Sequence, residues 1–343
     1  MRAIADQVRI GIVGLGRWAK QVHIPTLALI PEARVTAICA RREESIAEAS
    51  ALCPQPVTKF QDYRALAASD EVDAVVVSTP NNLHEPISAA ALEAGKHVFV
   101  EKPLGFTLEG CRRLCALAED GHLVLQVGYE LPYAPPFARG LKMIRDGAIG
   151  QPSIVWSNVI RDFIVKRGWR GNKEESGGVL LEMASHYINL VDYLADARPL
   201  AVAAFGGSRL IDDLDFGWAL IHYDNQVVGS LCSCMFGSGP MEIAAGALGT
   251  EGSIEMSVDG RTIALYRRGS DQPEVTELPE GTSLAEYGHW GTYEEKVDFV
   301  SCIREGRRPL VDGRAGMRAV ALTLAFKQSA DAQGRPAPIV LDA

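Results

Sequence analysis

Short apolar runs alternate with segments of helical period through the first third of the chain. Residues 8–13 (VRIGIV), 34–39 (RVTAIC), 56–60, 73–78 (DAVVVS), 97–101 (HVFVE) and 123–127 are apolar, rich in β-branched residues and bounded by turn formers, as strands are. The run at 73–78 has no polar alternation, which marks a strand covered on both faces and paired in parallel. Residues 43–52, 84–94 and 107–120 carry helical periodicity between these strands. Gly95 suits a left-handed helix end, and Thr107, with Glu109 in the first turn, suits an N-terminal cap. The alternation predicts an α/β, doubly wound parallel sheet over residues 1–127.

Beyond a helical stretch at 137–145 the pattern turns to strands joined by turns. The strands fall at 154–160, 200–205, 216–223, 227–235, 243–248, 253–258 and 262–267. Asp259-Gly260 predicts a hairpin between the last two, because a type I′ turn needs positive φ at both central residues. A helix over 179–194 follows Gly177-Gly178; helices at 292–304 and 313–331 and a short strand at 338–341 close the chain. Residues 128–343 are therefore expected to form a C-terminal α+β domain with a large, mostly antiparallel open sheet.

Composition narrows the partners. The chain has 343 residues, 47% of them hydrophobic, enough for two cores. Lys+Arg 34 against Asp+Glu 43 gives a net charge of −9, which argues against nucleic acid and anionic membranes as partners, since phosphate binding needs clustered positive charge. No apolar run reaches spanning length and charges interrupt the first residues, so a cytoplasmic location is expected. The seven cysteines contain no CxxC pair, and His23, His97, His122, His222 and His289 show no metal-ligand spacing. Reduced thiols, no metal and a small-molecule partner are the expectation.

The candidate chemistry starts at Gly14, Gly16 and Ala19, which follow the first strand with the GxGxxG/A spacing. Gly14 permits the tight turn, Gly16 lets the backbone approach a pyrophosphate, and Ala19 allows close packing of helix on strand. An ordinary strand-turn-helix corner gives the same pattern, so context decides. In a doubly wound sheet, ligands bind beyond the carboxyl ends of the strands; residues 14–18, 79–82, 101–103 and 128–130 are expected to converge there. At the end of the second strand, where NAD enzymes place an acidic residue for the ribose, this chain has Ala40 followed by Arg41 and Arg42. Two guanidinium groups suit a 2′-phosphate, so NADP is favoured and NAD stays possible. The alternative is a solvated helix start paired with Glu43 and Glu44.

Several motifs together resemble the Gfo/Idh/MocA oxidoreductases. They are GLGRWA, the run STPNNLHEPISAAALEAGKHVFVEKP ending at Pro103, GWR at 168–170, SGGVLLEMASHYIN at 176–189, and the closing segments 293–309 and 318–334. The resemblance implies a Rossmann domain followed by a sheet domain that carries the substrate site and an oligomer interface, giving a homodimer or homotetramer. It implies transfer of hydride between NAD or NADP and a carbinol or ketone of a sugar, cyclitol or related polyol. It also implies a cofactor site from Gly14, Gly16, Arg17, Trp18, Thr79, Pro80, Asn81, His84, Glu101, Lys102, Trp169 and Arg170, with Tyr129 and Asn189 toward substrate.

Carbinol oxidation needs a proton acceptor and a cation or donor at the oxygen. Lys102 follows a strand end expected at the crevice, and Pro103 keeps it out of helical conformation. Glu182, His186, Asn189 and Tyr193 are spaced to share one helical face. The expectation is that His186 accepts the proton, Glu182 orients its ring, Lys102 polarises the oxygen and Asn189 meets a neighbouring hydroxyl. A plain amphipathic helix is the competing reading, with Ser185 and Asp192 widening its polar side. The family usually has Asp at the positions of Glu182 and Asn189, and often an Arg shortly after the Gly128-Tyr129 position, so the resemblance carries over the roles of Lys102 and His186 but not the family's substrate contacts. Two other functions stay open: glycoside cleavage through transient oxidation, and nucleotide-dependent regulation without catalysis.

Overall fold

The computed structural model describes residues 7–162, 168–238, 243–258, 261–278 and 290–341. The chain divides into two compact units. Of the described residues, the first comprises 7–129 and 292–317, and the second comprises those between 130 and 278 together with 290–291 and 318–341.

The first unit is built on β1 (Val8–Val13), β2 (Ala33–Cys39), β3 (Thr58–Phe60), β4 (Ala74–Val77), β5 (His97–Glu101) and β6 (Leu125–Gly128). They form one parallel sheet in the order β3-β2-β1-β4-β5-β6, so the order reverses between β1 and β4. All four residues of β4 are buried, as the unbroken apolar run predicts. Gly95 has φ +75 at the helix end, and the Thr107 hydroxyl accepts from Gly110 N at 3.1 Å as the cap of Leu108–Asp120. The helix Thr292–Glu305 comes late in sequence yet buries Phe299, Val300, Cys302 and Ile303 in this unit's core. Periodicity alone does not reveal such a return of the chain.

The second unit carries β7 (Pro152–Ile160), β8 (Pro199–Gly207), β9 (Phe216–Tyr223), β10 (Val228–Cys234), β11 (Ala244–Gly249), β12 (Gly252–Ser257), β13 (Thr262–Arg267), β14 (Glu274–Glu277) and β15 (Ala337–Pro338). Their order is β14-β13-β12-β11-β7-β10-β9-β8-β15. Pairing is antiparallel except between β7 and β10, which run parallel. β14 is polar and lies at one edge, which is why apolar alternation misses it. Asp259-Gly260 lies outside the described residues, although β12 and β13 pair antiparallel on either side of it.

One face of this sheet packs on the helix Ser185–Ala195, which buries Tyr187, Ile188, Leu190, Val191 and Leu194. The helix is buried almost all round, so the amphipathic reading does not hold. Two of its polar residues bond inside: Ser185 Oγ donates to Leu181 O at 2.6 Å, and Arg318 Nε donates to Asp192 Oδ2 at 2.9 Å. Among the described residues no helix is long and apolar enough to cross a membrane, and no His/Cys/Asp/Glu group could hold a metal ion.

Candidate active site

In the first unit the crevice residues gather where the strand order reverses. Gly14 takes φ +92 between β1 and the following helical turn, and a Cβ there would lie 2.3 Å from Ser78 O. Only glycine fits both demands. Gly16 is exposed, and a Cβ on it would meet nothing within 4 Å, so the backbone at this turn lies open to a ligand. Thr79, just beyond β4, has its Oγ1 buried with no hydrogen-bond partner among the described residues. A bare backbone turn beside an unpaired hydroxyl fits the phosphates and ribose of a dinucleotide.

Two tethers fix the loops around that turn. Trp18 Nε1 donates to Glu101 Oε1 at 2.9 Å, linking the glycine turn to the end of β5. His84, fully buried, sets Nδ1 2.8 Å from Pro103 O and Nε2 3.1 Å from Thr79 O. The Lys102-Pro103 bond is cis. Asn81 is buried, Arg17 Nε donates to Gln21 Oε1 at 2.7 Å, and Lys102 is half-buried directly after Glu101. Arg41 and Arg42 are exposed, and among the described residues neither forms an ion pair with Glu43 or Glu44. Tyr129 is fully buried directly after β6.

Sequence reasoning missed the charged cluster behind Glu101. His23 Nε2 lies 3.2 Å from Glu101 Oε1, and the His23 ring stands edge-on to Phe99 with centroids 5.7 Å apart. Lys296 is wholly buried, bonded to Glu295, with Nζ 4.7 Å from the Phe99 ring centroid. Burial alone would push the Glu101 carboxyl up; contact with His23 and the charges of Lys296 and Lys102 hold it down at about 2. Burial and Lys296 lower the pKa of His23, which favours its neutral ring. Glu101 thus stays an anion and an acceptor for Trp18. These residues are scattered along the sequence, and no local spacing signals the cluster.

In the second unit, Gly177 and Gly178 take φ +78 and +94, and a Cβ on Gly178 would lie 2.5 Å from Asp213 Oδ2. That oxygen accepts from Val179 N at 2.8 Å and so tethers the start of the helical segment. The segment is not uniformly α-helical: Leu180–Ala184 is a π-helical turn, and the α-helix begins at Ser185. Ser185 N donates to Leu180 O, five residues back. The wider turn changes the angular step per residue, so spacing by four no longer places Glu182 directly below His186.

The carboxylates sort differently from the expectation. Glu182 Oε1 accepts from Arg170 Nε at 2.8 Å, and the Arg170 guanidinium lies 4.7 Å over the Trp169 ring. The carboxylate set beside His186 Nδ1 is Glu130, with Oε2 at 3.3 Å. The expected Glu182–His186 pairing is therefore replaced by Glu182–Arg170 and Glu130–His186. Asn189 is buried, and its Oδ1 has no hydrogen-bond partner among the described residues.

The oxidoreductase family model with NAD-binding Rossmann fold matches residues 8–129, and the family's C-terminal alpha/beta domain matches residues 141–339. D-xylose 1-dehydrogenase [NADP(+)] of Haloarcula marismortui is 24% identical over 92% of this chain and 89% of its own length. A 1-carboxy-3-chloro-3,4-dihydroxycyclohexa-1,5-diene dehydrogenase of Comamonas testosteroni is 31% identical over 65% of this chain and 57% of its own. The fold matches levoglucosan dehydrogenase in complex with NADH at TM-score 0.87 and 24% identity, over 98% of this chain and 100% of that one. With both family domains together covering nearly the whole chain, it belongs to the Gfo/Idh/MocA family of oxidoreductases.

Proposed function

We propose that the chain is an NAD(P)-dependent dehydrogenase that moves hydride between the nicotinamide and a carbinol or ketone of a sugar, cyclitol or related polyol, with NADP preferred. The first unit holds the dinucleotide and the second supplies the substrate side. The observation that carries the reading is the open glycine turn at the sheet's reversal point, with the Thr79 hydroxyl beside it and Lys102 following β5.

The bound nicotinamide supplies the hydride acceptor or donor. Gly14, Gly16 and Thr79 bind the dinucleotide, while Trp18, Glu101 and His84 hold the loops that shape its site. Lys102 polarises the substrate oxygen, and His186 takes the hydroxyl proton during oxidation and returns it during reduction. Asn189, with its unpaired amide oxygen, receives a neighbouring hydroxyl. Glu182 anchors Arg170 beside Trp169.

The preference for NADP rests on Arg41 and Arg42, exposed beyond β2 with Ala40 in place of an acidic residue. Absorbance at the nicotinamide band across sugars, cyclitols and their keto forms, with both nucleotides, tests the whole reading. The expected result is polyol-dependent turnover, with NADP bound tighter and weakened about 10- to 100-fold by Arg41→Ala, Arg42→Ala. Tighter NAD binding in the wild type contradicts the preference. Product release without net change in nucleotide indicates glycoside cleavage, and binding without any turnover indicates a regulator.

The same chain is proposed to self-associate as a homodimer or homotetramer through the open face of its nine-stranded sheet. Phe205, Trp218, Leu220, Ile154, Ile160 and Leu248 are exposed there. Strand register aligns Phe205 with Trp218 and Ile154 with Leu248. A groove of about 580 Å³ on this sheet is lined by Phe205, Phe216, Trp218 and Phe236. Contiguous exposed aromatics of this kind mark an interaction surface. Sedimentation velocity is expected to show a dimer or tetramer that Trp218→Lys shifts toward monomer; a wild-type monomer contradicts it.

A further inference from the structure

Glu130 has no assigned role in the reaction above, yet the fold fixes it tightly. Its carbonyl accepts from Tyr133 N at 3.0 Å, closing the short turn Leu131–Tyr133. Gly291 packs against that turn at φ +89, where a Cβ would come within 2.5 Å of both Glu130 O and Ala134 N. Leu131 and Ala134 are buried in the second unit's core. The Glu130 side chain is held inside, with its carboxylate 3.3 Å from His186 Nδ1. A buried carboxylate needs donors, and an imidazole N–H is one. Glu182, the acid four residues before His186, already accepts from Arg170.

We propose that Glu130 is the positioning residue for His186: its carboxylate accepts the Nδ1–H and fixes the neutral ring in the tautomer whose Nε2 carries no proton. This rests on the dehydrogenase reading above and assigns its base to a pair of groups. As hydride leaves the carbinol carbon for the nicotinamide, the C=O bond forms and the hydroxyl proton passes to Nε2. The resulting imidazolium keeps its Nδ1–H on the Glu130 anion, so the new positive charge forms beside a negative one. Reduction runs the same transfers backwards.

The test begins on nucleotide-free protein labelled with 15N-histidine, at about pH 9 where an ordinary imidazole is neutral. Two-bond nitrogen-proton correlations report the tautomer, and His186→Ala assigns the signal. The wild type is expected to show His186 as the Nδ1–H form. Glu130→Gln, which keeps shape but can donate as well as accept, is expected to weaken that preference. It is also expected to lower kcat about 10- to 100-fold, with KM and nucleotide affinity within about threefold. A wild-type His186 in the Nε2–H form overturns the proposal. A folded Glu130→Gln with wild-type kcat overturns it as well. If His186→Ala itself retains turnover, the dehydrogenase assignment of His186 fails, an outcome distinct from loss in His186→Ala with none in Glu130→Gln.

Discussion

Lys102→Ala and His186→Ala are each expected to lower kcat for polyol oxidation by about 10²- to 10⁴-fold, with nucleotide affinity much less changed. The two groups are assigned different work on one oxygen. An ammonium at position 102 favours the developing alkoxide, whereas an imidazole at 186 removes the proton. Because both act in the same transition state, the double variant should lose far less than the product of the single losses. Lys102→Arg retains the charge but offers a broad planar fork instead of a compact ammonium, so it should restore little. Steady-state kinetics with saturating nucleotide measures these effects, and circular dichroism checks the fold. Turnover within a few-fold of wild type in either folded alanine variant removes that residue from the mechanism.

Gly14→Ala is the second large expected effect, and Gly16→Ala is its control. At Gly14 an alanine must hold φ +92 with its Cβ 2.3 Å from the backbone oxygen of Ser78, so β1 and β4 have to separate locally. A positive φ alone costs about 1–3 kcal/mol, and the collision falls on backbone that cannot swing aside. The expected result is a lower melting temperature together with at least about 100-fold weaker dinucleotide binding. At Gly16 a Cβ meets no neighbour, so that variant should melt like the wild type. Its methyl would still stand at the open side of the turn, and weaker binding is expected there without loss of stability. Calorimetric melting and nucleotide titration separate the two outcomes. Wild-type stability and affinity in Gly14→Ala would contradict the geometry of the turn.

The features legible in the sequence are those that local chain physics fixes. Val8, Ile10 and Ile12 announce a strand by β-branching, Gly14 announces positive φ, and Thr107 announces a helix cap. The parallel sheet follows because its strands alternate with helices. What local periodicity leaves open is partner choice across long separations. Gln126 bonding to the carbonyl of Glu295 and the helix Thr292–Glu305 returning to the first core have no local signature. The parallel pairing of β7 with β10 is likewise set by long-range topology.

The helix bearing His186 shows how a sound local argument loses a contact. Spacing by four is a statement about uniform α-helix, and the π turn at Leu180–Ala184 alters it. His186 therefore meets a carboxylate 56 positions earlier in the chain rather than the acid one turn away. Likewise Lys296 reads as an ordinary charged helix position, although it is wholly buried beside Glu295 and Phe99. Buried charges are placed by packing, and apolar periodicity carries no information on their partners.

In the proposed reaction the amine of Lys102 and the imidazole of His186 act on the same substrate oxygen. A crystal structure with reduced nucleotide and a polyol that the turnover panel selects tests this most directly. The expected result is the reacting oxygen about 3 Å from both Lys102 Nζ and His186 Nε2, with the Glu130 carboxylate beside Nδ1. An oxygen held by neither group, or a polyol bound where only one of them can reach it, would contradict this shared role.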